Sequence, residues 1–128
     1  MAKWLTQEWL DESTRLSADQ PERPGASARI QYVITGGPDG DVSYYWIVED
    51  GHLVENRRGE LAGAEVTLSE SYDDARAIQT GELDMNAAFL QGRVKVDGDV
   101  VKLMSLLPIT TSPEFESWQQ AVREMTEF

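Results

Sequence analysis

His52 is the only histidine in a chain that has no cysteine. A lone histidine becomes a general base or a metal ligand only in company, and no serine or cysteine nucleophile pattern accompanies this one. It follows Asp50-Gly51, the favoured pair for a tight hairpin, so it reads as a solvated turn residue. Two acidic pairs, Asp11-Glu12 and Asp73-Asp74, raise the idea of a carboxylate dyad or a cation site. Adjacent helical residues do not share a face, so both pairs read as capping and solubility charges. Gly36-Gly37-Pro38-Asp39-Gly40 is rich in glycine, yet it lies between two strand patterns with no helix start to hold a phosphate. It is a turn. What remains is apolar surface, better suited to holding a hydrophobic molecule than to converting one. No catalytic residue, metal or cofactor is expected.

The 128 residues fit one domain, with 1–27 forming an N-terminal helix and connector. Acidic side chains number 23 against 11 basic, a formal charge of −12. Nucleic-acid binding rests on clustered Lys and Arg, so that class is excluded. Docking on an anionic bilayer is opposed as well, and membrane contact is expected to be transient at most. No apolar run approaches the roughly 20 residues of a membrane span, and the N-terminus lacks a secretion signal. The C-terminus carries no peroxisomal address. A cytoplasmic location is the default expectation.

The elements that must position any site are legible from periodicity. Residues 4–16 carry Leu5, Trp9 and Leu16 on one helical stripe, and 17–27, with Pro21, Pro24 and Gly25, read as a connector. Alternation then marks strands at 29–35, 42–49, 52–56 and 63–69. On the second of these, Val42, Tyr44, Trp46 and Val48 share a face. Together they suggest an antiparallel meander with one face apolar enough to need a cover. Helical patterns follow. Ser71 caps a stripe of Tyr72, Ala75 and Ile78 closed by Gly81, and Asp84 caps a short helix carrying Phe89 and Leu90. Residues 93–97 add a fifth strand. Asp99 caps Val100–Leu107, whose all-round apolarity predicts burial on several sides. Thr111-Ser112-Pro113-Glu114 opens a last helix with Phe115, Trp118, Val122 and Met125 at three-four spacing.

Residues 83–107 resemble the signature of the sterol carrier protein type two family. The likeness is carried by Gly81 and Leu83, then Ala88-Phe89-Leu90-Gln91-Gly92, Arg93-Val94-Lys95-Val96, Gly98-Asp99 and Leu103. With the upstream strands it extends over about residues 28–107. The resemblance implies an α+β fold, a five-stranded, mainly antiparallel sheet with helices covering one face around a hydrophobic cavity. It implies a non-enzymatic carrier of fatty acid, acyl-CoA or sterol. Two departures stand out. The best-known carriers are rich in lysine whereas this chain is acidic, and its first helix lacks the basic face expected of a membrane contact.

The ligand-binding candidates are Trp46, Ile78, Phe89, Leu90, Gln91, Val101, Met104, Leu107, Trp118 and Met125. Any one of the apolar members could equally fill an ordinary core. As a set they bring methionine and aromatic side chains typical of adaptable apolar surfaces. Burying a methylene contributes about 0.8 kcal/mol, so a long acyl chain gains on the order of 10 kcal/mol gross, before ordering costs. Gln91, Arg57 and Arg58 could meet a head group at the tunnel mouth, but the plainer readings are surface residence for both arginines and a helix-ending role for Gln91. The rival use of the same surface is protein interaction, with Phe115, Trp118, Val122 and Met125 as a homodimer seam.

Overall fold

A computed structural model describes all 128 residues. Its centre is a sheet of β2 (Ala28–Gly37), β3 (Gly40–Glu49), β4 (His52–Arg58), β5 (Val66–Ser71) and β6 (Lys95–Gly98). The order across the sheet is β4-β3-β2-β5-β6. β2, β3 and β4 form two successive antiparallel hairpins. The second turns through Asp50 at φ +48° and Gly51 at φ +87°, the left-handed pair that suits strand twist.

β5 departs from a simple meander. It crosses back to lie parallel to β2, with Ile30 opposite Val66 and Tyr32 opposite Leu68. Alternation along a strand fixes which face its side chains take and says nothing about which neighbour it finds. β6 then pairs antiparallel with β5, and Gly98 lies opposite Val66. A Cβ at Gly98 would come within 2.6 Å of the Glu65 carbonyl oxygen, so glycine permits the close pairing.

The strand registers align one apolar face. Ala28, Ile30, Tyr32 and Ile34 stand beside Val48, Trp46, Tyr44 and Val42 in turn, with Val66 and Leu68 on the other flank. Helices cover this face. α1 (Gln7–Leu16) lies against β4 and α6 (Pro113–Met125), and α2 (Tyr72–Thr80) against β2 and β5. α1 starts later than residue 4 because Leu5 sits at φ +66° and Thr6 caps the helix by accepting from the Trp9 N–H. Ahead of it, β1 (Ala2–Lys3) pairs in parallel with β7 (Thr126–Glu127), clasping the two termini together.

The segment after β6 differs most from expectation. It forms two short helices, α4 (Val100–Met104) and α5 (Leu107–Thr110), rather than one. Pro108 permits the break: it has no N–H to offer the Met104 carbonyl, and it sits in the first turn of α5, where that N–H is not needed. The predicted burial on several sides is also corrected. Val100, Val101, Met104 and Leu107 are exposed, and the buried members are Leu106 and Ile109. α3 (Met85–Leu90), just before β6, likewise buries only Ala88. No helix is long and apolar enough to cross a membrane.

Candidate functional site

The covered face carries a run of aromatic rings. Tyr32 stacks on Tyr44 at 4.8 Å, Trp46 meets Tyr32 edge-on at 5.2 Å, and Trp46 meets Trp118 of α6 at 5.7 Å. Phe115 closes the series 5.3 Å from Trp118. These rings stand where they do because β2 and β3 pair in register and the α6 stripe turns inward over them. Val122 is buried, and Phe115, Trp118 and Met125 pack against the core, so that stripe is used inside the molecule. Trp118 is further fixed by its indole N–H, which donates to the Ser13 carbonyl at 2.9 Å.

Beside the rings lies a cleft of about 40 Å³, bounded by Trp46, Val48 and Leu53 of the sheet, Leu106 and Ile109 around α5, and Phe115 and Trp118 of α6. Ser17 and Gln20 line its rim from the connector after α1. On this measure one water needs about 10–15 Å³, so the cleft as it stands has room for a few waters and is too small for a lipid. No cationic or anionic side chain is among its lining residues.

The ten sequence candidates separate into three groups. Trp46 and Trp118 face each other in the cleft. Ile78 and Met125 are half-buried against the main core. Phe89, Leu90, Val101, Met104 and Leu107 lie on the outside of α3, α4 and α5, with Leu90 83% and Val101 79% exposed. Gln91 is exposed at the end of α3, where its backbone N–H caps the Ala87 carbonyl. Arg57 is paired with Glu55 at 3.0 Å on the face turned away from Asn56 and α1. Arg58 is exposed. His52 is half-buried at the start of β4.

Sequence reasoning passed over two polar groups. Glu70 follows Val66 and Leu68 in strict alternation and pairs with Ile34, so it faces the covered side. One of its carboxylate oxygens is buried without a partner. Burial first, and the neighbouring Asp74 second, push its carboxyl up to about 7. Burial also raises the Tyr32 and Tyr44 hydroxyls well above the ordinary tyrosine range. Asp74 itself is bridged to Arg93 at 3.4 Å. The period-two pattern was the available signal for Glu70. Gln20, the second, lies in the connector and carried none. No group of three or more His, Asp or Glu side chains is placed to hold a metal ion.

The family model described as the SCP-2 sterol transfer family matches residues 10–110. Among solved structures, one of sterol carrier protein 2 superposes with TM-score 0.71 at 14% identity, covering 94% of this chain and 98% of that one. Palmitated SCP2L2 from Aedes aegypti gives 0.64 at 21% identity, covering 82% and 94%. A stereoselective inverting sec-alkylsulfatase from Pseudomonas sp. contains a comparable unit, with TM-score 0.50 and 26% identity over 75% of this chain and 14% of that one. No curated protein matches.

Proposed function

Because this chain belongs to the SCP-2 sterol transfer family, we propose that it binds one lipid-like molecule, a fatty acid, acyl-CoA or sterol, and carries it without converting it. The observation that supports this most directly is the apolar cleft between the sheet and α5–α6, bordered by short helices that hold apolar side chains outward. The palmitated relative from Aedes aegypti is consistent with a fatty-acyl guest.

The small volume of the cleft implies that binding a lipid displaces part of the cover. α4 and α5 are the elements to yield: they are one turn each, and α5 has no side-chain cap. Segments with few buried apolar contacts open at low cost. Phe89, Leu90, Val101, Met104 and Leu107 then supply apolar surface to the guest, and each methylene they cover contributes about 0.8 kcal/mol. This reading gives Glu70 no catalytic role. It is the one strand carboxyl on the covered face, its neighbour Asp74 is bridged to Arg93, and neither carboxyl is among the residues that line the cleft.

The test compares native and denaturing mass spectra of freshly purified, undelipidated protein. A lipid present in the first and released in the second supports the carrier reading. An apo mass together with no saturable uptake of fluorescent fatty acid or sterol refutes it. The exposed α3–α5 surface also favours a second reading, a docking face for another protein or a second copy of the chain. Size that rises with concentration, without lipid uptake, selects that reading.

A further inference from the structure

The five-stranded sheet has two edges, β4 and β6, and the chain treats them differently. At β4 the Gln7 side chain stands in for a missing neighbour. Its Oε1 accepts from the Arg58 N–H at 2.9 Å and its Nε2 donates to the Asn56 carbonyl at 3.3 Å, as the backbone of a further strand would. A bulge at Val54, between the pairs Ile47–Glu55 and Val48–Leu53, interrupts the rest of that edge. β6 has no such plug. The Asp99 N–H donates inward to the Glu65 carbonyl at 2.8 Å, so by antiparallel alternation Asp97 and Lys95 also bond to β5, and Val96 turns its N–H and C=O outward. β5 is the one element packed along the length of β6.

Open edges are usually protected by being short and charged, and β6 is both. Its charges deter other strands but not its own copy. Lys95 and Asp97 flank Val96 on the face away from the helices, both are exposed, and neither takes part in an ion pair. When two β6 strands run antiparallel with Val96 opposite Val96, each Lys95 falls opposite the second copy's Asp97. A slip that sets Asp97 opposite Asp97, or Lys95 opposite Lys95, puts like charges together, so charge selects the register. The same pairing brings the α3 end of one chain to the α4 end of the other, where Phe89, Leu90, Val100 and Val101 are exposed. Residues 85–110 hold three of the eleven cations and two of the twenty-three anions. This is the stretch where a second copy of an acidic chain approaches with least repulsion. We propose that the chain pairs with itself through β6, joining two five-stranded sheets across a two-fold axis. The pairing stands apart from the lipid-carrier reading, since Lys95, Val96 and Asp97 lie outside the cleft.

Sedimentation velocity of the full chain, from micromolar to near-millimolar concentration, is the test. The mass is expected to rise from one chain to two and to stop there, because pairing uses up the open edge. Asp97→Lys alone, or Lys95→Asp alone, sets like charges opposite each other twice and is expected to weaken the dimer about tenfold or more. Mixing the two variants restores Lys opposite Asp at both positions, so they are expected to form a mixed dimer where each by itself is a monomer. Recovery on mixing also shows that neither variant lost its fold. A parent chain that stays monomeric throughout overturns the proposal. A dimer that neither variant weakens, or a weakening that mixing leaves unrepaired, overturns it too and moves the interface to another face. Uptake of a fluorescent fatty acid by the same samples reports on the carrier reading separately.

Discussion

The clasp of the two termini and the α3–α5 segment are both parts of the helical cover, and both are rich in large apolar side chains, but they hold them in opposite ways. At the clasp, Ala2, Trp4, Leu5, Trp9 and Leu10 are buried, Leu10 completely. Polar groups there are paired: the Trp4 N–H donates to the Glu127 carbonyl, and the Trp9 indole donates to the Thr126 hydroxyl at 2.8 Å. Trp4 packs against both Tyr72 and Phe128. In α3–α5 the helices span four to six residues each, and most of their apolar side chains face water. Isolated helices of that length have little stability of their own. The difference teaches that apolar composition alone does not seal a structure. Element length and paired polar groups decide whether a greasy segment becomes core or remains available.

The comparison breaks most visibly under truncation. Leu10→Ala leaves a cavity at a fully buried site and is expected to cost about 2–5 kcal/mol of unfolding free energy. Leu90→Ala or Val101→Ala, equally apolar losses in the other region, are expected to stay within about 0.5 kcal/mol. Urea denaturation followed by tryptophan fluorescence measures all three. Comparable losses would mean that α3–α5 is as firmly packed as the clasp.

Glu70 tests the sheet beneath the cover. Its carboxyl titrates at about 7 in the folded protein against an ordinary 4.5. Between those values the folded state binds more protons than the unfolded state, so stability falls as pH rises through the window. The full effect is up to about 3 kcal/mol. Glu70→Gln holds the group neutral. The variant is therefore expected to match the parent near pH 4 and to exceed it in stability at pH 8, with the gap opening between about pH 5 and 7.5. A constant difference across that range would mean the side chain reaches solvent.

Thr126→Val sharpens the account of the clasp. It removes the acceptor of the Trp9 indole and leaves that N–H buried and unpaired, which is expected to cost about 1–3 kcal/mol. Thermal unfolding by circular dichroism gives the value, and a neutral result would assign the closure to packing alone.

Much of this arrangement was legible in the sequence because it is local. Ser71, Asp84, Asp99 and Ser112 each accept from the backbone N–H three residues on, as their spacing suggested. Gly81 ends α2 with φ +86°. Strand faces followed from alternation. The parallel return of β5 to β2 did not, because pairing is a property of the whole chain. The two-residue clasp is too short to leave a pattern. The early end of α4 at Met104 was hidden by the apolar run, which continues to Leu107. Of the site, Trp46 and Trp118 come together through the β3 register and the α6 stripe. Phe89, Leu90 and Val101 were placed on the right elements, and their exposure depends on how far those elements reach over the sheet.

The smallest expected change in stability carries the most information about use. Leu90→Ser with Val101→Ser alters two of the most exposed apolar side chains in the molecule, at 83% and 79% exposure. Neither is expected to move the denaturation midpoint beyond its error, because surface changes outside special features seldom do. If α3–α5 closes over a lipid, the double variant loses contact area in the bound state alone, and uptake of a fluorescent fatty acid weakens by a few-fold or more. If the same face docks a protein or a second copy, lipid uptake holds and concentration-dependent size disappears instead. A variant unchanged in stability, uptake and size would make the clasp and the sheet the whole of the functional structure, and would leave the exposed side chains of α3–α5 as ordinary surface of the kind every soluble protein carries.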